Sequence, residues 1–457
     1  MHILKKNIVW LGLLVGLVGV GCSPAPTSPN IIIIYADDLG YSDVGLYGGD
    51  IPTPNIDRIG KEGIQFTDFY VAGPVCTPSR YGLLTGRYPV RSEDELLTAL
   101  MPFDKKQLQN TEKILPAYLK EKNYQTALIG KWHLGKSESA LPTHHGFDLF
   151  TGFTGGCIDF FDHVYGSVQD DWYVDGTLKK ETGYSTDLIT THAINFLTKV
   201  KANNKPFFLY LPYNAPHFGK TNPDSIPAHT VVLKEDLYEG HPIANTLQAP
   251  EAYYKRFEHI EDPYRKAYAA MVSSLDDNIG KLYTYLEKNN LIDNTIIWFI
   301  SDNGGYAESY FGHARNGKFR GEKGTLYEGG IRVPSLLSWK GKIQPNQTRS
   351  SIVGNIDILP TLATLIGFED NLSPIVDGKN IQDVLFENHD IERELFWKYK
   401  NQLAYRKGEW KIVGDNELYN LNEDPSETTN VSHLHTELHE SLKNRALAIA
   451  ASAEKIR

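Results

Sequence analysis

The stretch "NIIIIYADDLG", residues Asn30–Gly40, joins four consecutive isoleucines and a tyrosine directly to two carboxylates, Asp37 and Asp38. A short uninterrupted run of β-branched and aromatic residues suits a strand buried on both faces, as in a parallel sheet. Three further runs have the same character: "TALIG" (Thr126–Gly130), "PFFLYL" (Pro206–Leu211) and "TIIWFI" (Thr295–Ile300). Helical patterns lie between them. In the segment Tyr264–Asn289, Met271, Leu275, Ile279, Leu282 and Leu286 fall on one helical face, whereas Asp276 and Asp277 lie off that stripe and are expected in solvent. Strands alternating with helices predict an α/β fold, a large mixed and mostly parallel sheet sandwiched by helices, over residues 30–385. The tail reads differently. "ELFWKYK", "LAYRKGEWKIVG" and "NELYNL" are short strands joined by turns, followed by a helix with Leu434, Leu438 and Leu442 spaced by four. They predict a smaller C-terminal α+β domain with a short antiparallel sheet over residues 386–457.

Each apolar run ends in polar groups. Asp37 and Asp38 follow the first, Lys131 and His133 the second, His217 the third, and Asp302 and Asn303 the fourth. In open α/β sheets, ligands bind beyond the carboxyl ends of the strands. Any one of these loops is as well explained by a turn or a helix cap; four on one rim are not. Three carboxylates and a carboxamide are hard oxygen ligands suited to Ca²⁺ or Mg²⁺. The chain carries a net charge of -10 over 457 residues, which argues against a nucleic-acid binder. An anionic substrate remains compatible with that charge where local cations focus the field.

Cys76, one of three cysteines, opens "CTPSRYGLLTG". Pro78 suits the first turn of a helix, which puts Cys76 near the helix N-terminus, a place that favours an anion, with Arg80 one turn on. A thiolate is a poor partner for a hard cation, so a Cys76 that joins this site should have its sulfur replaced by oxygen. A disulfide between Cys76 and Cys157 is the alternative, although neither cysteine belongs to a repeated framework.

"CTPSR" followed by "YGLLTGRYP" resembles the signature of the type I sulfatases, in the alkaline phosphatase superfamily. "PNIIIIYADDLGYSDVGLYGG", "PTPNIDRIGKEGIQFTDFY", "GKWHLG", "SDNGG", "EGGIRVPSLLSW" and "ELYNLNEDPSETTNV" resemble further blocks of that family in the expected order. The resemblance implies that a maturation enzyme oxidises Cys76 to formylglycine (3-oxoalanine). It implies that one Ca²⁺ is held by Asp37, Asp38, Asp302, Asn303 and the oxygen of residue 76. Arg80, Lys131, His133, His217 and Lys323 should surround the sulfate. The implied chemistry is attack on sulfur by the hydrated aldehyde, protonation of the departing alcohol by His217 with Lys323, and removal of the second hydroxyl's proton by His133. A formylglycine-dependent phosphate or phosphonate ester hydrolase, and a non-catalytic glycan-binding lipoprotein, are the alternatives.

The N-terminus reads as a targeting segment. Lys5 and Lys6 precede an apolar run from Ile8 to Val20 that is too short to span a bilayer. Residues 1–21 are therefore expected to be a signal peptide of lipoprotein type, Cys22 to be lipidated and attached to a membrane, and 22–29 to be a tether. The enzyme would then be exported, in the periplasm or at the outer membrane of a bacterium, where a sulfated polysaccharide or oligosaccharide is the expected partner. The segment 152–175 carries aromatics with Asp159 and His163, which are candidate sugar contacts. Asn222–Asp262 is a candidate lid.

Overall fold

The computed structural model describes residues 28–203, 205–309 and 312–454. The expected signal peptide and Cys22 lie outside the described residues. Among the described residues, no helix is long and apolar enough to cross a membrane.

The central sheet is built from β1 (Asn30–Ala36), β2 (Ile64–Phe66), β3 (Gln125–Lys131), β4 (Leu149–Phe153), β5 (Tyr173–Val174), β6 (Thr177–Leu178), β7 (Phe207–Pro212), β8 (Thr295–Ser301), β9 (Ser335–Trp339) and β10 (Gln347–Arg349). Their spatial order is β10-β2-β9-β8-β1-β7-β3-β4-β5-β6. The four apolar runs are thus the four neighbouring strands β8, β1, β7 and β3, all parallel. Strand β4 continues in parallel, while β9 and β5 pair antiparallel toward the two edges.

Successive residues of β1 point to opposite faces. Ile32, Ile34 and Ala36 enter one core with Ile189 and Leu197 of helix Ser185–Lys201 and with Met271, Leu275 and Ile279 of helix Pro263–Lys288. Ile31, Ile33 and Tyr35 enter the other with Tyr81, Leu83 and Leu84 of helix Cys76–Thr85. Each fully buried isoleucine contributes roughly 1.5–3 kcal/mol relative to exposure.

The long helix Pro263–Lys288 starts at Asp262, whose carboxylate accepts from the Tyr264 N–H at 2.9 Å. Its Asp277 pairs with Arg256 at 2.7 Å. Asp276, by contrast, is not solvated: it is buried and accepts from the backbone N–H of Asn55 and Ile56, at 2.9 and 2.8 Å, and from Asn55 Nδ2. Those N–H groups begin helix Pro54–Lys61, so one helix caps another.

The expected lid, 222–262, contributes the strands Thr230–Tyr238 and His241–Gln248 to a three-stranded antiparallel sheet that Gly219–Thr221 completes. The tail forms a four-stranded antiparallel sheet, β11 (Glu394–Tyr399), β12 (Gln402–Lys407), β13 (Trp410–Val413) and β14 (Glu417–Asn420), covered by helix Thr436–Glu454. That helix buries Leu442, Ala446, Ile449 and Ala453, whereas Leu434 precedes it and is 66% exposed, unlike the expected stripe. A buried ionic network joins this sheet to helix Glu328–Ile331: Lys411 Nζ lies 2.8 Å from both Glu328 Oε1 and Glu427 Oε1. Glu328 also takes the Tyr70 hydroxyl at 2.6 Å and Arg332 at 3.2 Å.

Candidate active site

Parallel pairing sets the site. Ala36 lies beside Ser301, so the residues that follow, Asp37 and Asp302, leave the sheet side by side. The Asp302 N–H bonds Ala36 O at 2.9 Å, and the Asp38 N–H bonds Asp302 Oδ1 at 3.1 Å. Both Asp38 and His133 hold positive φ, +62° and +57°, a conformation that costs non-glycine residues and concentrates at functional sites.

Three carboxylates meet three cations at the rim. Lys131 Nζ lies 2.6 Å from Asp37 Oδ2, Lys323 Nζ lies 2.6 and 2.8 Å from the two oxygens of Asp38, and Arg80 Nη2 lies 2.8 Å from Asp302 Oδ2. All six are buried. Burial alone would lower both lysines, but Asp37 and Asp38 override it and hold Lys131 and Lys323 above the ordinary value. Burial and the neighbouring Asp37 push the Asp302 carboxyl up to about 6, against the pull of Arg80 and Lys131.

Cys76 is the first residue of helix Cys76–Thr85, and its Sγ sits 3.6 Å from Asp37 Oδ1 and 3.4 Å from Lys323 Nζ. Burial pushes its thiol up to about 12, although Lys131 and Lys323 pull down. Both Cys76 and Cys157 are free, so no disulfide joins them. As a thiol, residue 76 is neither a good nucleophile nor a ligand for a hard cation.

The histidines present opposite nitrogens. His217 Nδ1 donates to Phe218 O at 2.7 Å, which turns Nε2 toward Asp38 Oδ2 at 3.3 Å. His133 Nε2 donates to Leu100 O at 2.9 Å, which leaves the buried Nδ1 without a partner. The backbone is tight here, because a Cβ on Gly156 would sit 2.8 Å from His133 Nε2. Burial holds both imidazoles well below their ordinary value. Lys131 adds to this at His133; at His217 Lys323 and Lys131 add to it and Asp38 opposes it.

The donor set fits a hard divalent cation. Ligand atoms of Asp37, Asp38, Cys76 and His217 lie within 4.8 Å of one another. Asn303 gives Nδ2 to Asp38 Oδ1 at 2.7 Å, and its buried Oδ1 has no partner. A buried carbonyl oxygen left unpaired beside carboxylates is the kind of atom a cation satisfies. Asp302 stands slightly apart, with Oδ1 on the Asp38 N–H and Oδ2 on Arg80.

Asp159 and His163 are not part of this cluster. Asp159 is buried and accepts from the N–H of Phe161 and Asp162, from Thr221 Oγ1 and from Gln248 Nε2, so its oxygens organise the loop. His163 is buried with its ring stacked on Trp172, 4.5 Å between centroids. The Leu100 carbonyl that orients His133 was invisible in the sequence, because a backbone acceptor in an irregular loop leaves no residue signature.

A family model described as Sulfatase matches residues 29–368, and one described as N-sulphoglucosamine sulphohydrolase, C-terminal, matches residues 317–451. The N-acetylgalactosamine-6-sulfatase of Rattus norvegicus is 31% identical over 416 residues, covering 87% of this chain and 72% of that protein. The enzyme of the same name from Homo sapiens is 31% identical over 398 residues, 83% of this chain and 70% of that protein. Among solved structures, Ps i-CgsB in complex with k-i-k-neocarrahexaose is 34% identical, with a TM-score of 0.80 and 93% of each chain covered.

Proposed function

Because this chain belongs to the sulfatase family and is a sulfuric ester hydrolase, we propose that it is an exported enzyme that releases sulfate from a sulfated oligosaccharide, using formylglycine made from Cys76 and one Ca²⁺ held by Asp37, Asp38, Asp302, Asn303 and the oxygen of residue 76. The observation that carries this reading is the setting of Cys76, a buried thiol at a helix N-terminus amid hard oxygen ligands and cations. Conversion to an oxygen-bearing residue removes that mismatch. The same conversion needs a maturation enzyme, and every residue of helix Cys76–Thr85 is buried, so that enzyme would meet the segment before the fold closes.

When present, formylglycine supplies an oxygen nucleophile for sulfur and Ca²⁺ supplies positive charge beside the sulfuryl oxygens. The chain's own residues do the rest. Lys131, Lys323 and Arg80 balance Asp37, Asp38 and Asp302, so the site has no surplus of negative charge to repel a sulfate ester. Lys323 and Lys131 hold and orient that ester. His217 holds a proton at Nε2 for the departing alcohol; an arriving sulfate raises its proton affinity. His133 accepts a proton at Nδ1, the nitrogen that the Leu100 carbonyl leaves free. The bound neocarrahexaose of the Ps i-CgsB structure supports a sulfated galactan as the substrate class.

Protein made with a competent maturation system should show, by peptide mass spectrometry, the loss that marks thiol-to-aldehyde conversion at residue 76. It should release sulfate from sulfated galactan oligosaccharides, lose that turnover in chelator, and turn over the matching phosphate ester poorly. Full activity with unmodified cysteine alone would overturn the proposal.

A further inference from the structure

Beside the catalytic cluster lies a second group of cations that the chemistry above does not use. Lys136 follows Lys131 and His133 in the loop after β3, and Lys220 follows His217 by three residues. Their ammonium groups approach one ring, lying 5.9 and 5.7 Å from the centroid of Tyr165. Lys220 also lies 5.4 Å from the Phe218 ring and donates to Asn245 Oδ1. Lys136 Nζ is buried with no hydrogen-bond partner. Its acidic neighbour Asp171 is already engaged, with Oδ1 accepting from Thr154 N and Oγ1 and Oδ2 from Gly155 N. An ammonium has three N–H donors, and burying them without an acceptor is costly. Burial holds both lysines below their ordinary value.

This group abuts the first. A Cβ on Gly155 would lie 3.3 Å from Lys136 Nζ, and one on the next residue, Gly156, would lie 2.8 Å from His133 Nε2. Cys157, the residue after that, packs with Tyr165 and Ile243. Outward from Tyr165, Tyr238 meets it edge-on at 5.9 Å and stacks on Phe103 at 5.5 Å and 28°. Phe103 is 46% exposed and has His241 at 6.5 Å. Two cations therefore sit between the reacting centre and an aromatic shelf.

We propose that Lys136 and Lys220 form a subsite for a second sulfate, carried on the sugar next to the one being desulfated, with Phe103 and Tyr238 supporting that sugar's ring. The proposal rests on the sulfatase reading of the neighbouring cluster and deepens it: the substrate is a multiply sulfated chain. A buried ammonium without a protein acceptor gains one when that chain is bound, and aromatic faces suit the apolar face of a sugar ring.

The test uses calorimetry on full-length protein made without the maturation system, so that turnover does not enter. Two galactan oligosaccharides of equal length are compared, one with a single sulfate and one with a second sulfate on the adjacent sugar. The wild-type protein should bind the doubly sulfated one about tenfold more tightly, as expected for one charge-assisted contact. Lys136→Met and Lys220→Met should each erase that preference, and Lys136→Arg should retain it. In matured enzyme, the same substitutions should leave kcat/KM on a small aryl sulfate within about twofold, because that substrate does not reach the subsite. Equal wild-type affinity for the two oligosaccharides, or equal losses on both in the variants, would overturn the subsite. A clear binding preference without sulfate release by matured enzyme would keep the subsite and defeat the catalytic reading.

Discussion

His217 and His133 are both buried and both orient one ring nitrogen on a backbone carbonyl, yet they expose opposite nitrogens to the site. That difference separates their roles. A sugar hydroxyl is a weak acid and needs a proton as it leaves, whereas a nitrophenolate needs little help. General acid catalysis is typically worth about 10²–10⁴-fold, so His217→Ala should lose that much on a sulfated oligosaccharide and far less on nitrophenyl sulfate. Steady-state kinetics on both substrates decide it. Equal losses would move the acid's role to Lys323, whose Nζ is 3.4 Å from Cys76 Sγ. His133→Ala should instead stall after the first transfer with either substrate, leaving sulfate on the protein, visible by intact mass.

At the scale of elements, the cap that Asp276 provides is the least expected contact. Asp276→Ala would leave the N–H groups of Asn55 and Ile56 without their acceptor at the start of helix Pro54–Lys61. Loss of a cap costs about 0.5–2 kcal/mol, and the buried donors put this case at the upper end. Denaturant titration should show that loss with kcat unchanged; no measurable loss would mean that water replaces the carboxylate. The case also marks where sequence reading stops. The four strands were legible because burial on both faces imposes an apolar run that any reader of periodicity can find. Asp276 was misjudged because its position on its own helix says nothing of a partner 221 residues away. The rim residues were legible as strand-end polar groups, but their pairing into three ion pairs and the roles of Asp159 and His163 depended on loops without periodicity. The hairpin Thr230–Gln248 was also hidden, since "TVVLKEDLY" mixes exposed charges with apolar residues.

For the whole molecule, the junction between the C-terminal sheet and helix Glu328–Ile331 depends on Lys411, which serves two buried glutamates. Glu328 is held low because, against its burial, Lys411, Arg332 and Arg406 all face it. Glu427 is pushed up to about 7 by burial and by Glu328, with Lys411 opposing. A carboxyl whose folded pKa is raised favours the protonated fold. Its contribution is complete below the unfolded value near 4.5 and is lost as pH rises through 7. Through this group, wild-type stability should fall relative to that of Glu427→Gln as pH rises from about 5 to 8. Glu427→Gln should remove that slope and be the more stable protein at pH 8. Denaturation midpoints of the two proteins across this range test it; parallel curves would refute the assignment.

The double pairing of β1 also acts as a ruler on chain length. Ala36 is matched to Ser301 on one side and Tyr35 to Pro212 on the other. One residue inserted in any of these strands would carry the acid or histidine beyond it about 3.3 Å along the sheet and turn it to the other face. The turns at Gly341, Gly408 and Gly414, where an added Cβ would meet nothing within 4 Å, bear no such restriction. Insertions and deletions should accordingly be tolerated at such outer turns and not between a strand end and its first polar residue.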